Sequence, residues 1–237
     1  MNIALIIAGG RGERMGLDVP KQFLRVQDRY VITYTMQAFQ DHPEIDAFGL
    51  VCLSDWKEAV WENARQYGLT KLAFVVEGGR NGQDSIRNGL IEARKRYHDD
   101  DIILIHDGVR PMVSQRIISD CIASTREHGN AITCIPCAEA MLVSDNGKTS
   151  CKTYPRSQLQ RTQTPQSFYI KDIWQVHQEA LVAGNTNSIS SCTLMIEMGR
   201  TVHFIKGSEK NLKLTTIDDL EIFQALLAIE RLHAEKD

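Results

Sequence analysis

The 237-residue chain has no apolar run near the roughly 20 residues that a membrane-spanning helix needs, which leaves no membrane partner to expect. It has no excess of positive charge either. Its 27 Lys and Arg stand against 30 Asp and Glu, a formal net charge of −3. Bulk electrostatic binding to nucleic acid or to an anionic membrane surface is thereby excluded, and any basic function has to be local. Met1-Asn2 leads directly into strand-like residues with no basic n-region, so no cleavable signal is expected and the expected location is the cytoplasm. Repeats, linkers and low-complexity segments are absent. The six cysteines, at 52, 121, 134, 137, 151 and 192, are scattered through strand-like or helix-like text. In a cytoplasmic chain they read mostly as small buried hydrophobes. Cys134-Ile135-Pro136-Cys137 has redox-motif spacing but closes an apolar strand instead of opening a helix. No second Cys/His pair supplies zinc ligands, so a structural role is expected for this pair.

What is present is ordinary for a globular protein, with 43% hydrophobic and 24% charged residues. Strand-like and helix-like segments alternate, which predicts an α/β fold with a mostly parallel sheet covered on both faces. Strands are expected at 3–7, 47–53, 72–76, 102–105 and 131–135. Helices are expected at 31–40, 54–67 (with Ser54 as N-cap), 83–96 and 115–128 (with Ser114 as N-cap). After Pro136 the rhythm changes. Met141-Leu142-Val143 and Cys151 to Tyr154 flank Asp145-Asn146-Gly147, a strong hairpin signal. Residues 137–160 therefore read as a projecting β-arm within one domain spanning 1–237. Thr162-Gln163-Thr164-Pro165-Gln166 reads as the connection back to the body. Helices at about 170–183 and 190–198, a strand at 201–205 and a last helix capped by Thr216 with Asp219 at its third position complete the chain.

The first strand empties into Ala8-Gly9-Gly10-Arg11-Gly12-Glu13-Arg14-Met15-Gly16, with Pro20-Lys21-Gln22 just beyond. Glycines let the backbone approach a ligand, and exposed N–H groups in such a loop form an anion-binding concavity. Arg11, Arg14 and Lys21 add cations, so the stretch describes a polyphosphate cradle; the bland alternative is a glycine turn with solvated charges. A P-loop would need Gly-Lys followed by Ser or Thr, which is missing. A dinucleotide fingerprint would need glycine where Met15 stands and an uninterrupted helix where Pro20 falls. In an open α/β sheet ligands sit outside the carboxyl ends of the strands. The third strand brings Gly78-Gly79 and Ser85 to that edge, groups able to read a base or ribose. The fourth brings Asp107, a carboxylate where a Mg²⁺ bridging phosphate oxygens would need one. Taken alone, Asp107 could equally be a turn cap. Lys213 would add a late cation.

Taken in order, Ala8-Gly9-Gly10-x-Gly12-x-Arg14-Met15-Gly16, Pro20-Lys21-Gln22, Asp84-Ser85, His106-Asp107-x-x-Arg110-Pro111, Thr164-Pro165-Gln166 and Asn211-x-Lys213-x-Thr215 resemble the cytidylyltransferases of the methylerythritol-phosphate and ribitol-phosphate type. The likeness covers nearly the whole chain. It implies a Rossmann-like nucleotidyltransferase fold that uses CTP and Mg²⁺ to activate a polyol phosphate, and a homodimer in which the β-arm reaches the neighbour's site. Through it, Arg14 and Lys21 are expected to hold the triphosphate and stabilise charge at the α-phosphate. Ala8, Gly9, Gly10 and Gly12 line the nucleotide, Ser85 faces the cytosine beside Gly78-Gly79, Asp107 holds Mg²⁺ and Lys213 neutralises the transition state. Arg156 grips the acceptor's phosphate across the dimer. The departures lie on the acceptor side: Glu139-Ala140 stands where the family has Asp-Thr, and Ser188-Ile189 where it has Thr-Asp. These changes favour a ribitol-phosphate-like acceptor over methylerythritol phosphate. Two other readings stay open, a sugar-phosphate nucleotidyltransferase using another NTP and a non-catalytic nucleotide-binding regulator. The joint presence of Arg14, Lys21, Asp107 and Lys213 speaks against the regulator.

Overall fold

The computed structural model describes residues 1–10 and 19–234. The chain opens with β1 (Asn2–Ala8) and, past a small hairpin of β2 (Arg25–Val26) and β3 (Arg29–Tyr30), enters α1 (Val31–Gln40). Three strand–helix units follow: β4 (Ala47–Cys52) with α2 (Lys57–Gln66), β5 (Leu72–Glu77) with α3 (Gly82–Arg94), and β6 (Ile102–Asp107) with α4 (Gln115–His128). β7 (Asn130–Pro136) leads out to a hairpin of β8 (Met141–Val143) and β9 (Lys152–Tyr154). β10 (Gln160–Tyr169) returns, and α5 (Ile170–Val182), α6 (Ser191–Glu197), β11 (Phe204–Lys206) and α7 (Ile217–Ala234) complete the chain.

The main sheet runs β11-β7-β10-β6-β1-β4-β5. Every pairing in it is parallel except those of β10, which lies antiparallel between β6 and β7. β1 sits inside the sheet, so successive side chains go to opposite faces and both faces are covered. Ala4 and Ile6 join a core with Met36, Phe39, Phe48 and Leu50, while Ile3 and Leu5 join a second core with Phe74, Leu90 and Phe168. That double burial is why the strand reads as an unbroken apolar run. Because β1, β4, β5 and β6 are parallel, all deliver their carboxyl ends to one edge, and with them Gly9-Gly10, Gly78-Gly79 and Asp107.

The mostly parallel sheet agrees with the sequence expectation, and so do two caps. Ser114 Oγ accepts from the Ile117 N–H at 3.4 Å, and Asp219 Oδ2 accepts from the Thr215 and Thr216 N–H groups at 2.7 and 2.8 Å. Three local expectations are corrected. Thr162–Gln166 is the middle of a central strand, not a connection. Gln163 and Gln166 are buried there because each is matched: Gln163 Nε2 donates to the Ser208 carbonyl at 2.8 Å, and Gln166 Oε1 accepts from the Cys192 N–H at 2.9 Å. Pro165 is accommodated where the pairing with β7 slips between Thr162 and Gln166. Ser54 is not the cap of α2; residues 54–56 make a 3₁₀ turn first, and the Ser54 hydroxyl meets only Asp55. The strand expected at 201–205 is confined to Phe204–Lys206, since the His203 N–H is taken by the Asn130 side chain at 2.8 Å. The 134–137 cysteine pair closes β7 as buried free thiols, with burial pushing Cys134 up to about 12.

Candidate active site

A cavity of about 370 Å³ opens at the carboxyl ends of β1 and β6, bounded also by β10 and by residues of α3, α5 and α6. Lys21, Asp107 and Lys213 line it together, with Ala8 and Gly10. Arg14 and Gly12, both assigned to the nucleotide from the sequence, lie outside the described residues.

Asp107 ends β6 and its side chain is 22% exposed. Its Oδ1 accepts from Lys213 Nζ at 3.0 Å and its Oδ2 from Arg110 Nε at 2.9 Å, while its own N–H donates to Thr164 Oγ1 at 3.0 Å. Burial alone would raise the carboxyl. The adjacent charges of Lys213 and Arg110, with a hydrogen bond from each, outweigh burial and hold it down to about 2. Asp107 is therefore a carboxylate at every physiological pH. Arg110 is 9% exposed and also donates through Nη1 to the Asn211 carbonyl at 2.8 Å. Asn211 Nδ2 in turn donates to the Thr164 carbonyl at 2.8 Å. This chain of bonds ties the 211–213 segment to β6 and β10, which is how a lysine 106 positions away in sequence reaches Asp107. Sequence reasoning saw Arg110 and Asn211 only as parts of a motif; their role as the clamp comes from the geometry.

The glycine edge is built by close approach. Gln22 Nε2 donates to the carbonyls of Ala8 and Gly10 at 2.7 and 2.9 Å, gathering the end of β1 around a buried side chain. A Cβ at Gly9 would sit 3.5 Å from Gly78 Cα, and one at Gly79 would sit 2.3 Å from Asp84 Cβ. The structure gives Ser85 a more specific position than the sequence reading: its hydroxyl donates to the Asn81 carbonyl at 2.8 Å and accepts from the Gly79 N–H at 3.0 Å. It thus shapes the loop, and only a remaining lone pair is left for a base. Gly9, Gly78, Gly79 and Ser85 flank the cavity without lining it.

Of the acceptor-side residues, Ser188 lines the cavity, its N–H donating to Gln83 Oε1 at 2.8 Å. Ile189, 95% exposed, stands at the rim. Glu139 and Arg156 lie on the exposed arm, away from this chain's own cavity, and Arg156 Nη1 donates to the Ala138 carbonyl at 2.9 Å. The cavity also holds residues the sequence did not single out, namely Gln83, His177 and Ser191. Nothing in the text marks His177, a single histidine on the apolar stripe of a helix.

Comparison with known proteins follows the same outline. The model of the 2-C-methyl-D-erythritol 4-phosphate cytidylyltransferase family matches residues 2–229. A ribitol-5-phosphate cytidylyltransferase of Streptococcus agalactiae is 41% identical over 228 residues, 95% of each chain. Its counterpart in Lacticaseibacillus paracasei is 38% identical, covering 96% of this chain and 98% of the relative. A 2-C-methyl-D-erythritol 4-phosphate cytidylyltransferase of Clostridium novyi is 33% identical, covering 95% and 96%. Among solved structures, the 4-diphosphocytidyl-2C-methyl-D-erythritol synthase of Anaerococcus prevotii superimposes with a TM-score of 0.80 at 24% identity, covering 96% of both chains, and shows the same fold. A nucleotidyltransferase-like sheet, an acid–base cluster at its ligand edge and near-full-length matches to cytidylyltransferases converge: the chain belongs to the 2-C-methyl-D-erythritol 4-phosphate cytidylyltransferase family and is a cytidylyltransferase.

Proposed function

We propose that this enzyme transfers CMP from CTP to ribitol 5-phosphate or a close polyol phosphate, releasing pyrophosphate. One observation carries the reading: a single cavity is lined both by charged side chains, Lys21, Asp107, Arg110 and Lys213, and by uncharged hydroxyl and amide side chains, among them Thr162, Thr164, Gln166 and Ser188. The charged groups suit phosphates and the neutral ones suit a hydroxylated carbon chain. Ribitol 5-phosphate is favoured over methylerythritol phosphate because Ala140 and Ile189 replace a hydroxyl and a carboxylate expected at the acceptor, and a site that hydrogen-bonds hydroxyls discriminates strongly. The relatives that are 38–41% identical also carry the ribitol name.

No protein nucleophile is needed. An acceptor phosphate oxygen attacks the α-phosphorus of CTP in line, and the bond to the bridging oxygen breaks with its electron pair leaving on pyrophosphate. The protein's part is positioning and neutralisation of charge. Lys213 keeps N–H donors beyond the one given to Asp107, and Lys21 lines the same cavity. Arg14 retains the same role in this proposal. The Asp107 carboxylate fits Mg²⁺: it is ionised, it is a hard oxygen ligand, and each of its oxygens accepts one bond and retains a lone pair. Among the described residues no cluster of three or more His, Cys, Asp or Glu could hold a metal. A single carboxylate with substrate phosphates is the usual Mg²⁺ arrangement. When bound, the ion supplies neutralisation of the phosphate oxygens.

The arm belongs to the same proposal. Its strands pair Met141 with Tyr154 and Val143 with Lys152, yet Leu142 is 67% exposed, and a lone two-stranded hairpin is marginal in water. It is proposed to pack on a second copy, bringing Arg156 and Glu139 to the partner's acceptor end. Pyrophosphate release measured with each NTP against a panel of polyol phosphates tests the reading. CTP with ribitol 5-phosphate is expected to give the highest kcat/KM. A comparable purine triphosphate would remove the donor assignment, and efficient use of methylerythritol phosphate would replace the acceptor.

A further inference from the structure

Two residues that line the cavity carry three buried polar side-chain atoms without a hydrogen-bond partner among the described residues. His177 occupies a core position of α5, among Ile173, Val176 and Ala180, and is 1% exposed. It lines the cavity, yet neither ring nitrogen has a hydrogen-bond partner among the described residues. Ser191, the first residue of α6, is 3% exposed, lines the same cavity, and its Oγ is likewise open. Their neighbours are matched. Gln83 donates to the Asn185 carbonyl at 2.9 Å and accepts from Ser188, Gln166 accepts from the Cys192 N–H, and Ser190 accepts from the Thr193 N–H at 3.3 Å. Buried polar groups are ordinarily paired, so unpaired ones on residues that line a cavity point to a ligand that would make the missing bonds.

The chemistry of that ligand follows from the groups. Burial and the charge of Arg87 push His177 down to about 4 against the opposing effect of Asp84, so the ring is neutral and offers one donor and one acceptor. A hydroxyl, which both donates and accepts, matches it; a phosphate or carboxylate would want a cation. Of the cations, Arg110 and Lys213 are paired with Asp107, and Arg87, whose charge His177 feels, is held by Asp84. The spacing also fits. Gln166 pairs across from Ile105, two residues or about 7 Å back along β6 from Asp107, and its side chain binds the backbone next to Ser191.

We propose that His177 and Ser191 form the far end of the acceptor subsite, where they hydrogen-bond hydroxyls of the polyol chain remote from its phosphate. The assignment rests on the polyol-phosphate reading, and it makes both residues determinants of specificity. His177→Leu and Ser191→Ala are measured with CTP and either ribitol 5-phosphate or its 1-deoxy analogue, with thermal stability checking that each variant is folded. In the wild-type enzyme the deoxy analogue is expected to lose about tenfold or more in kcat/KM. His177→Leu should lose a similar factor on ribitol 5-phosphate, keep its KM for CTP within about twofold, and no longer distinguish the two acceptors. His177→Gln, which retains a donor and an acceptor, should recover part of the loss. An undiminished preference for ribitol 5-phosphate in both variants, or equal changes in the two KM values, overturns the subsite. A second readout separates this from the transfer reading. In enzyme labelled with ¹⁵N-histidine and saturated with a non-hydrolysable CTP analogue, ribitol 5-phosphate should shift the His177 ring signals. A shift without turnover overturns the transfer reading and keeps the subsite; turnover without a shift does the reverse.

Discussion

Replacing Asp107 by Asn keeps the shape of the side chain and removes its charge, which separates the clamp seen in the structure from the part in turnover proposed for the same carboxylate. The carboxyl is held at about 2 against an ordinary 3.8. At ~1.4 kcal/mol per tenfold in proton affinity, that depression corresponds to ~2 kcal/mol of net interaction with Lys213 and Arg110. A second route gives a similar figure. Removing one partner from a buried ion pair costs roughly 3–5 kcal/mol, and this must be scaled down because the Lys213 side chain is 40% exposed. A loss of about 2–3 kcal/mol in a chain of this length lowers Tm by on the order of 5–10 °C. The measurement is calorimetry or denaturant unfolding in chelator, so that no metal contributes. In parallel, kcat with CTP and Mg²⁺ should fall by about 10²–10³, the scale for losing one preorganised charge at a developing one. The two readouts refute different parts of the reasoning. Unchanged turnover with lowered Tm makes Asp107 a folding clamp alone. Lowered turnover with unchanged Tm means that the two ion pairs contribute nothing net, and that Lys213 is not held by Asp107.

Three other outcomes are expected. Gly49→Ala should destabilise by about 1–3 kcal/mol without changing either KM, because a Cβ there would lie 2.0 Å from the Phe74 ring; denaturant midpoints check it, and a neutral result would mean the ring moves aside freely. Sedimentation should show a dimer that Leu142→Asp dissociates, and Arg156→Ala should raise the acceptor KM far more than the CTP KM; a wild-type monomer would sink both. The depressed His177 also makes stability depend on pH. Between pH 6.5 and about 4 the unfolded chain takes up a proton that the folded ring refuses, so wild-type stability should fall through that window by up to on the order of 3 kcal/mol relative to His177→Leu. Parallel stability–pH curves for the two proteins would refute the neutral buried ring.

The parts legible in the sequence are those whose cause is local. β1 announces itself because both its faces are buried, and the last helix because Thr216 and Asp219 bond each other's backbone. The hairpin at 141–154 is legible because Asn-Gly sets its turn. β10 is not, since nothing in Thr-Gln-Thr-Pro-Gln is apolar. It becomes a core strand because its neighbours supply partners for its buried polar groups: Thr133 Oγ1 of β7 donates to the Pro165 carbonyl at 2.6 Å, and Gln163 Nε2 donates to the carbonyl of Ser208, just past β11, at 2.8 Å. The β2–β3 turn was missed for a related reason: Gln27 and Asp28 take positive φ values of 49° and 67° without a glycine to signal it.

The same distinction runs through the site. The charged residues are carried by short motifs, so they could be named before any coordinates, and Lys21, Asp107 and Lys213 do line one cavity. The neutral residues come from α3, α5, α6 and β10, whose contributions are separated by up to about a hundred residues, as in the Gln83–Ser188 bond. No spacing rule connects such positions. A histidine at a core position of a helix is, by pattern, an ordinary core residue; what distinguishes His177, with Ser191, is that its polar atoms are unpaired while Gln83 and Gln166 beside the same cavity have hydrogen-bond partners. On the proposed subsite, acceptor choice in this chain is set where tertiary packing leaves polar atoms unmatched, and it would change by substitutions on helices that leave the strand-end motifs untouched.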